Sequence, residues 1–224
     1  TPFASARFLM GHSSGGWSSL WLQITYPDEF GGTWSSSPDP VDFSAFMLVD
    51  IYADDANMFT REDGREFSVS RKDAFMDKTM ARDLSNFERV LGRGGQLGSF
   101  EAVFSPRGKD GNPMPLWDRE TGKIDPAVAK HWRKYDIRLI LKENWPALRN
   151  KLRGKLHLVC GDSDTFYLDR AFRKLRDTLK ELDSNAQIEL VEGATHMLPP
   201  YVYSQMFREM KKQLGRTKRM FQHP

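Results

Sequence analysis

Apolar positions recur along this chain in two rhythms. Phe8 to Met10 is a short continuous apolar run that breaks at Gly11; beyond it Trp17, Leu20, Trp21 and Ile24 recur at helical spacing. The run predicts a short buried strand over 6–10. The spacing predicts a helix over about 14–26, which Tyr26-Pro27-Asp28 ends because proline cannot continue it. Phe30 to Ser36 reads as a second strand, weakened by its glycines and closed by Ser37-Pro38-Asp39-Pro40. Strand, helix and strand at this spacing make a βαβ unit, so the two strands should be parallel. The rhythm returns late in the chain. Lys155 to Cys160 predicts a buried strand, Gly161-Asp162-Ser163-Asp164 the turn after it, and Leu168 to Leu182 a helix with Phe172, Leu175 and Leu179 on one face. Gln187 to Val191 is the last clear strand, Gly193-Ala194-Thr195-His196 a loop, and Tyr201 to Leu214 a closing helix.

Residues 41–150 break the rhythm. Phe46 to Tyr52 predicts a short buried segment, and Glu62-Asp63-Gly64-Arg65 a turn. Arg71 to Arg93 has helical spacing, with Phe75, Met76, Met80, Leu84, Phe87 and Val90-Leu91 on one side, stopped by Gly92, Gly94 and Gly95. Phe104 to Thr121, rich in Gly, Pro and charge, predicts loop or hairpin. Asp125 as N-cap and Pro126 at the first helical position start another helix carrying Val128, Trp132 and Tyr135. Trp145, Leu148 and Leu152 mark one more. The region reads as a large insertion between strands, a cap over a site.

Length and composition narrow the class. A chain of 224 residues can bury a substantial core, and no apolar run approaches the ~18 residues of a membrane helix. The net charge of +3 is too small to imply a polyanionic partner. Six basic residues and one acid between Arg208 and Arg219 concentrate it in the tail, which reads as a solvated helix face rather than a nucleic-acid surface. The single cysteine, Cys160, lies in an apolar run and reads as core; it leaves the compartment open.

The candidate chemistry sits at the first junction. Gly11-His12-Ser13-Ser14-Gly15 matches Gly-x-Ser-x-Gly with a strand before it and an amphipathic helix after it, the context of a nucleophile elbow. Gly11 and Gly15 should leave room where a Cβ would collide, and the helix N-terminus favours negative charge beside Ser13. A serine nucleophile needs a base and the base an orienting acid. His12 should point away from the nucleophile, His157 lies inside a strand, His131 on a cap helix and His223 in the tail. His196 lies in a loop just after a strand, where sites of open parallel sheets are built. For the acid, Asp164 follows a strand; Asp162 is its nearest rival and Asp39, after the second strand, a more distant one.

With Gly11-His12-Ser13-Ser14-Gly15-Gly16, Gly161-Asp162-Ser163-Asp164-Thr165-Phe166-Tyr167 and Gly193-Ala194-Thr195-His196 in this order, the chain resembles an α/β-hydrolase, and within that fold the esterase family related to esterase D and enterochelin esterases. The resemblance covers 1–40 and 150–215 well and the middle poorly. It implies Ser13 as nucleophile, Asp164 as acid, His196 as base and the Ser14 backbone amide as one oxyanion donor. It implies a small-molecule ester as substrate, with no cofactor and no metal. In that fold the nucleophile strand is the fifth, and a second oxyanion amide comes from a loop after the third. The expectation is therefore the C-terminal half of an α/β-hydrolase sheet: one domain over 1–215 lacking its first strands, 41–150 as a cap-like insertion, and 216–224 as a basic tail. Serine carboxylic-ester hydrolysis is the leading expectation. A serine peptidase or acyltransferase on the same fold, or a non-catalytic module, are the alternatives. Asp54, Asp55, Glu62 and Asp63 match no calcium-loop spacing and read as solvated loop. The cap aromatics Trp117, Trp132 and Trp145 read as core rather than pocket lining.

Overall fold

A computed structural model describes residues 3–92 and 94–222, with the side chains of 216–222 outside the description. Four parallel strands, β1 (Phe8–His12), β2 (Gly32–Ser36), β3 (Leu156–Gly161) and β4 (Gln187–Val191), form one sheet in the order β1-β2-β3-β4. The register pairs His12 with Ser36, Ser36 with Val159, and Gly161 with Val191, so the four C-terminal strand ends share one edge. The expected βαβ unit is present: α1 (Ser14–Thr25) connects β1 to its parallel neighbour β2.

Alternation within β3 divides the core. Leu156, Leu158 and Cys160 join the larger cluster, which takes in Leu20 and Ile24 of α1 and Phe172, Leu175 and Leu179 of α6 (Leu168–Glu181). Val159 faces a smaller cluster with Trp34, Val191 and residues Val202 and Met206 of α7 (Pro200–Gln222). Helices therefore cover both faces, as a parallel sheet requires. β1 departs from the expectation of a buried strand. It is an edge strand among the described residues, and Met10 is 38% exposed. The closing helix begins one residue earlier than expected and its backbone continues to Gln222, so the expected basic tail is helical over 216–222; His223 and Pro224 lie outside the described residues.

Residues 41–150 add α2 (Ala81–Leu91), α3 (Gln96–Phe104), α4 (Pro126–Trp132) and α5 (Ile137–Leu148). Asp125 caps α4 as expected, its carboxylate accepting from the amides of Ala127 and Val128. Two expectations fail here. Residues 71–80 are not helical, because their backbone donors are engaged elsewhere: Arg71 N–H donates to the Thr165 carbonyl, and the Asp73 carboxylate takes the Phe75 and Met76 amides in a local turn. Phe75, expected on the apolar face, is 84% exposed. The helix α3 falls where no helix was expected, its first turn capped from a distance by the Glu88 carboxylate, which accepts from Leu97 and Gly98 N–H at 2.8 and 3.0 Å. Trp117, Trp132 and Trp145 are core, as expected.

Candidate active site

The turn after β1 is strained. Ser13 has φ 57° and ψ −123°, a region that side chains other than glycine rarely enter. Its amide donates to the Ser36 carbonyl at 3.0 Å, which pins the turn to the next strand. Close approach makes it possible: a Cβ on Gly11 would fall on the Gly15 carbonyl, and one on Gly16 would lie 2.8 Å from the Ser36 oxygen. Gly15, expected to be crowded, is not: a Cβ there would meet nothing within 4 Å. The crowded positions are Gly11 and Gly16.

Two strands away, Asp164 is fully buried just past β3. Its Oδ1 accepts from the amides of Phe166 at 2.8 Å and Leu168 at 3.4 Å, at the start of α6. Its Oδ2 lies 2.8 Å from Nδ1 of His196. One carboxylate thus anchors a helix start and orients an imidazole, leaving Nε2 as the ring nitrogen free to accept a proton. The loop after β4 reaches Asp164 because Gly161 has no side chain: a Cβ there would strike the carbonyls of Ala194 and Thr195. Asp162, the nearest rival, binds the same loop by another route, its Oδ1 accepting from Gly193 N–H at 3.0 Å. The Phe166 ring meets the His196 ring edge-on, centroids 4.9 Å apart.

Asp39, the more distant rival, lies beside the serines. It is 7% exposed; Ser14 Oγ donates to it at 2.6 Å and Ser13 Oγ at 3.4 Å. Among the described residues the Ser13 hydroxyl has this one hydrogen bond, so it must rotate off Asp39 to reach His196. Burial pushes the Asp39 carboxyl above its ordinary value, against the opposing pull of the Ser14 hydroxyl and of His196. The His12 ring, expected to point away from Ser13, meets neighbours on other strands and helices. His12 packs on His196 with centroids 4.6 Å apart, and its Nδ1 lies 3.1 Å from Ser36 Oγ. Burial, then the neighbouring His196, lower its basicity, so a positive charge on His12 beside His196 is disfavoured.

Arg71, of the insertion, gave no sequence signal. Its guanidinium pairs with Asp169 at 2.8 Å, lies 4.4 Å from the Tyr167 ring and donates to the Asp164 carbonyl. The turn that carries Asp164 is therefore braced from the far side by residue 71. The signal for Asp39 was available: Ser13, Asp39, Asp164 and His196 each follow one of the four parallel strands in turn, at their shared C-terminal edge.

A family model described as Putative esterase matches residues 2–212. A comparison with curated proteins returns no match. Similar solved structures include Porphyromonas gingivalis dipeptidyl peptidase 4 (10% identity, TM-score 0.47, 95% of this chain and 20% of that one). They also include a ferulic acid esterase (13%, TM-score 0.46, 94% and 52%) and the Paleococcus ferrophilus monoacylglycerol lipase (17%, TM-score 0.41, 93% and 68%). The chain thus spans about a fifth of the first of these and about half of the second.

Proposed function

Since the chain belongs to the Putative esterase family, we propose that it hydrolyses carboxylic esters as a serine hydrolase, through an acyl-enzyme. Ser13 is the nucleophile, His196 the general base and Asp164 the orienting acid. The observation that carries this reading is the 2.8 Å pairing of a buried carboxylate with His196 Nδ1, at the same sheet edge as a strained serine turn.

The Ser13 hydroxyl turns from Asp39 toward His196 Nε2 and attacks the ester carbonyl as the ring takes its proton. The Ser14 amide, at the N-terminus of α1, donates to the oxyanion of the tetrahedral intermediate. Collapse expels the alcohol, which receives the proton from the imidazolium. Water, deprotonated by the same nitrogen, then releases the acid and frees Ser13. Asp164 holds Nδ1–H throughout and stabilises the imidazolium. The carboxylate of Asp39 adds to that stabilisation when ionised. Residues 41–150 act as the cap of this site, within one domain spanning 1–215.

The test is Ser13→Ala in the full-length protein. Turnover of simple p-nitrophenyl esters should fall by about 10⁴-fold or more, and a fluorophosphonate should label the parent at Ser13 and leave the variant unlabelled. Unchanged turnover would end the assignment.

A further inference from the structure

A cavity of about 410 Å³ opens beside Ser13 and Asp39. Nine of its fourteen described lining residues are apolar, and most of them come from two sources. Met47, Val69, Leu84, Leu97 and Phe100 belong to the insertion, and Phe166 to the turn that carries Asp164. Phe166 also touches the His196 ring, so the cavity adjoins both groups between which an ester carbonyl has to lie. Among the described residues the lining includes Ser70, Thr79 and Gln96 but no lysine or arginine, and Asp39 is the one charged residue there.

Resting on the esterase reading above, we infer that this cavity receives an uncharged apolar group attached directly to the scissile ester. Medium-length aliphatic or aryl esters are then preferred over acetate esters and over esters whose chain ends in a carboxylate. Three observations define this class. The volume, at about 30 Å³ per water-sized group, holds about a dozen non-hydrogen atoms. The apolar wall rewards each methylene taken from water. An anionic terminus would enter a site whose one charged group among the described residues is another carboxylate, with no described lining cation to pair it. Because five of the apolar residues named above lie in 41–150, the insertion sets this preference while the sheet edge supplies the chemistry.

The experiment uses the intact chain and two series of esters. In one the acyl group lengthens from acetyl to octanoyl on methanol; in the other the alcohol lengthens from methanol to octanol on acetate. A monomethyl ester of octanedioic acid supplies the charged terminus. The expected result is a rise in kcat/KM of about tenfold or more from the shortest to the eight-carbon member of one series, which also tells whether the acyl or the alcohol side enters. The charged analogue should lose at least that gain. Leu97→Trp should lower the long-to-short ratio about tenfold. Since Leu97 is buried, Met76→Trp at the exposed part of the lining should move the same ratio and decides the matter if the first variant does not fold. A flat or inverted chain-length profile overturns the inference, as does a ratio unmoved in a folded variant. If Ser13 labels with fluorophosphonate and acetate esters turn over while the profile is flat, the pocket inference alone fails. If nothing is hydrolysed and Ser13 does not label, the esterase reading fails with it.

Discussion

Along the sheet edge, Ser13, Asp164 and His196 are placed by backbone. Parallel register brings their strand ends level, a strained φ lifts Ser13, and a missing side chain at Gly161 lets the His196 loop close on Asp164. In residues 41–150 the backbone is instead held by side chains. Asp136, fully buried, takes Phe43 N–H at 2.8 Å and the Tyr52 hydroxyl at 3.0 Å on one oxygen, and Leu139 N–H at 3.1 Å on the other. Glu101 takes Leu116 N–H at 2.7 Å, and Asp42 pairs with Arg138 at 2.7 Å. The contrast teaches that the proposed chemistry rests on a repeating frame, whereas the insertion rests on a few buried carboxylates whose loss or titration is felt singly.

The largest effect should come from the sheet edge. Asp164→Asn keeps an oxygen for the Phe166 and Leu168 amides, so the turn should fold. Its new amide N–H faces His196 Nδ1 and selects the opposite tautomer, which leaves no acceptor at Nε2. We expect kcat to fall about 10³–10⁴-fold with little change in Tm. A large loss of Tm together with near-normal kcat in the folded fraction would reverse the two roles given to that carboxylate.

The next test addresses the insertion. Burial pushes the Asp136 carboxyl up to about 6, against the amides that favour its ionised form. In the unfolded chain it titrates near its ordinary value, so its contribution to stability is fully present below that value and lost as pH rises through about 6. From end to end this amounts to about 3 kcal/mol. Asp136→Asn, which cannot ionise, should remove that part of the pH dependence. Denaturant unfolding of parent and variant at pH 4 and pH 8 should show the variant gaining on the parent as pH rises. A stability difference independent of pH would place the cost of this group elsewhere.

How far each region could be read from sequence follows the same division. The strands, α1, α6 and the order of Ser13, Asp164 and His196 were legible because period and turn residues act locally. The capped start of α4 was legible for the same reason. The helix α3 was not, since its amides are capped by Glu88 across nine residues rather than by a neighbour, and Gly92, Gly94 and Gly95 suggested a break. The contact between His12 and His196 was not, because the two rings meet only after β4 has folded beside β3. The bracing of Asp164 by Arg71 spans 93 residues and leaves no local trace.

The smallest expected effect is at Phe75. Helical spacing places it on an apolar face with Met76, Met80 and Leu84, and a phenylalanine removed from such a face would cost about 3–5 kcal/mol. The fold instead leaves Phe75 84% exposed in a turn held by Asp73. Phe75→Ser keeps the amide that donates to Asp73 and removes a ring that is mostly in water. Its cost should stay within about 0.5 kcal/mol, read from the midpoint of urea unfolding at unchanged slope. A loss of several kcal/mol would mean that the ring is buried in solution and that 71–80 joins the helix its spacing suggests. The Arg71–Asp169 contact beside the turn that carries Asp164 would then have to be redrawn.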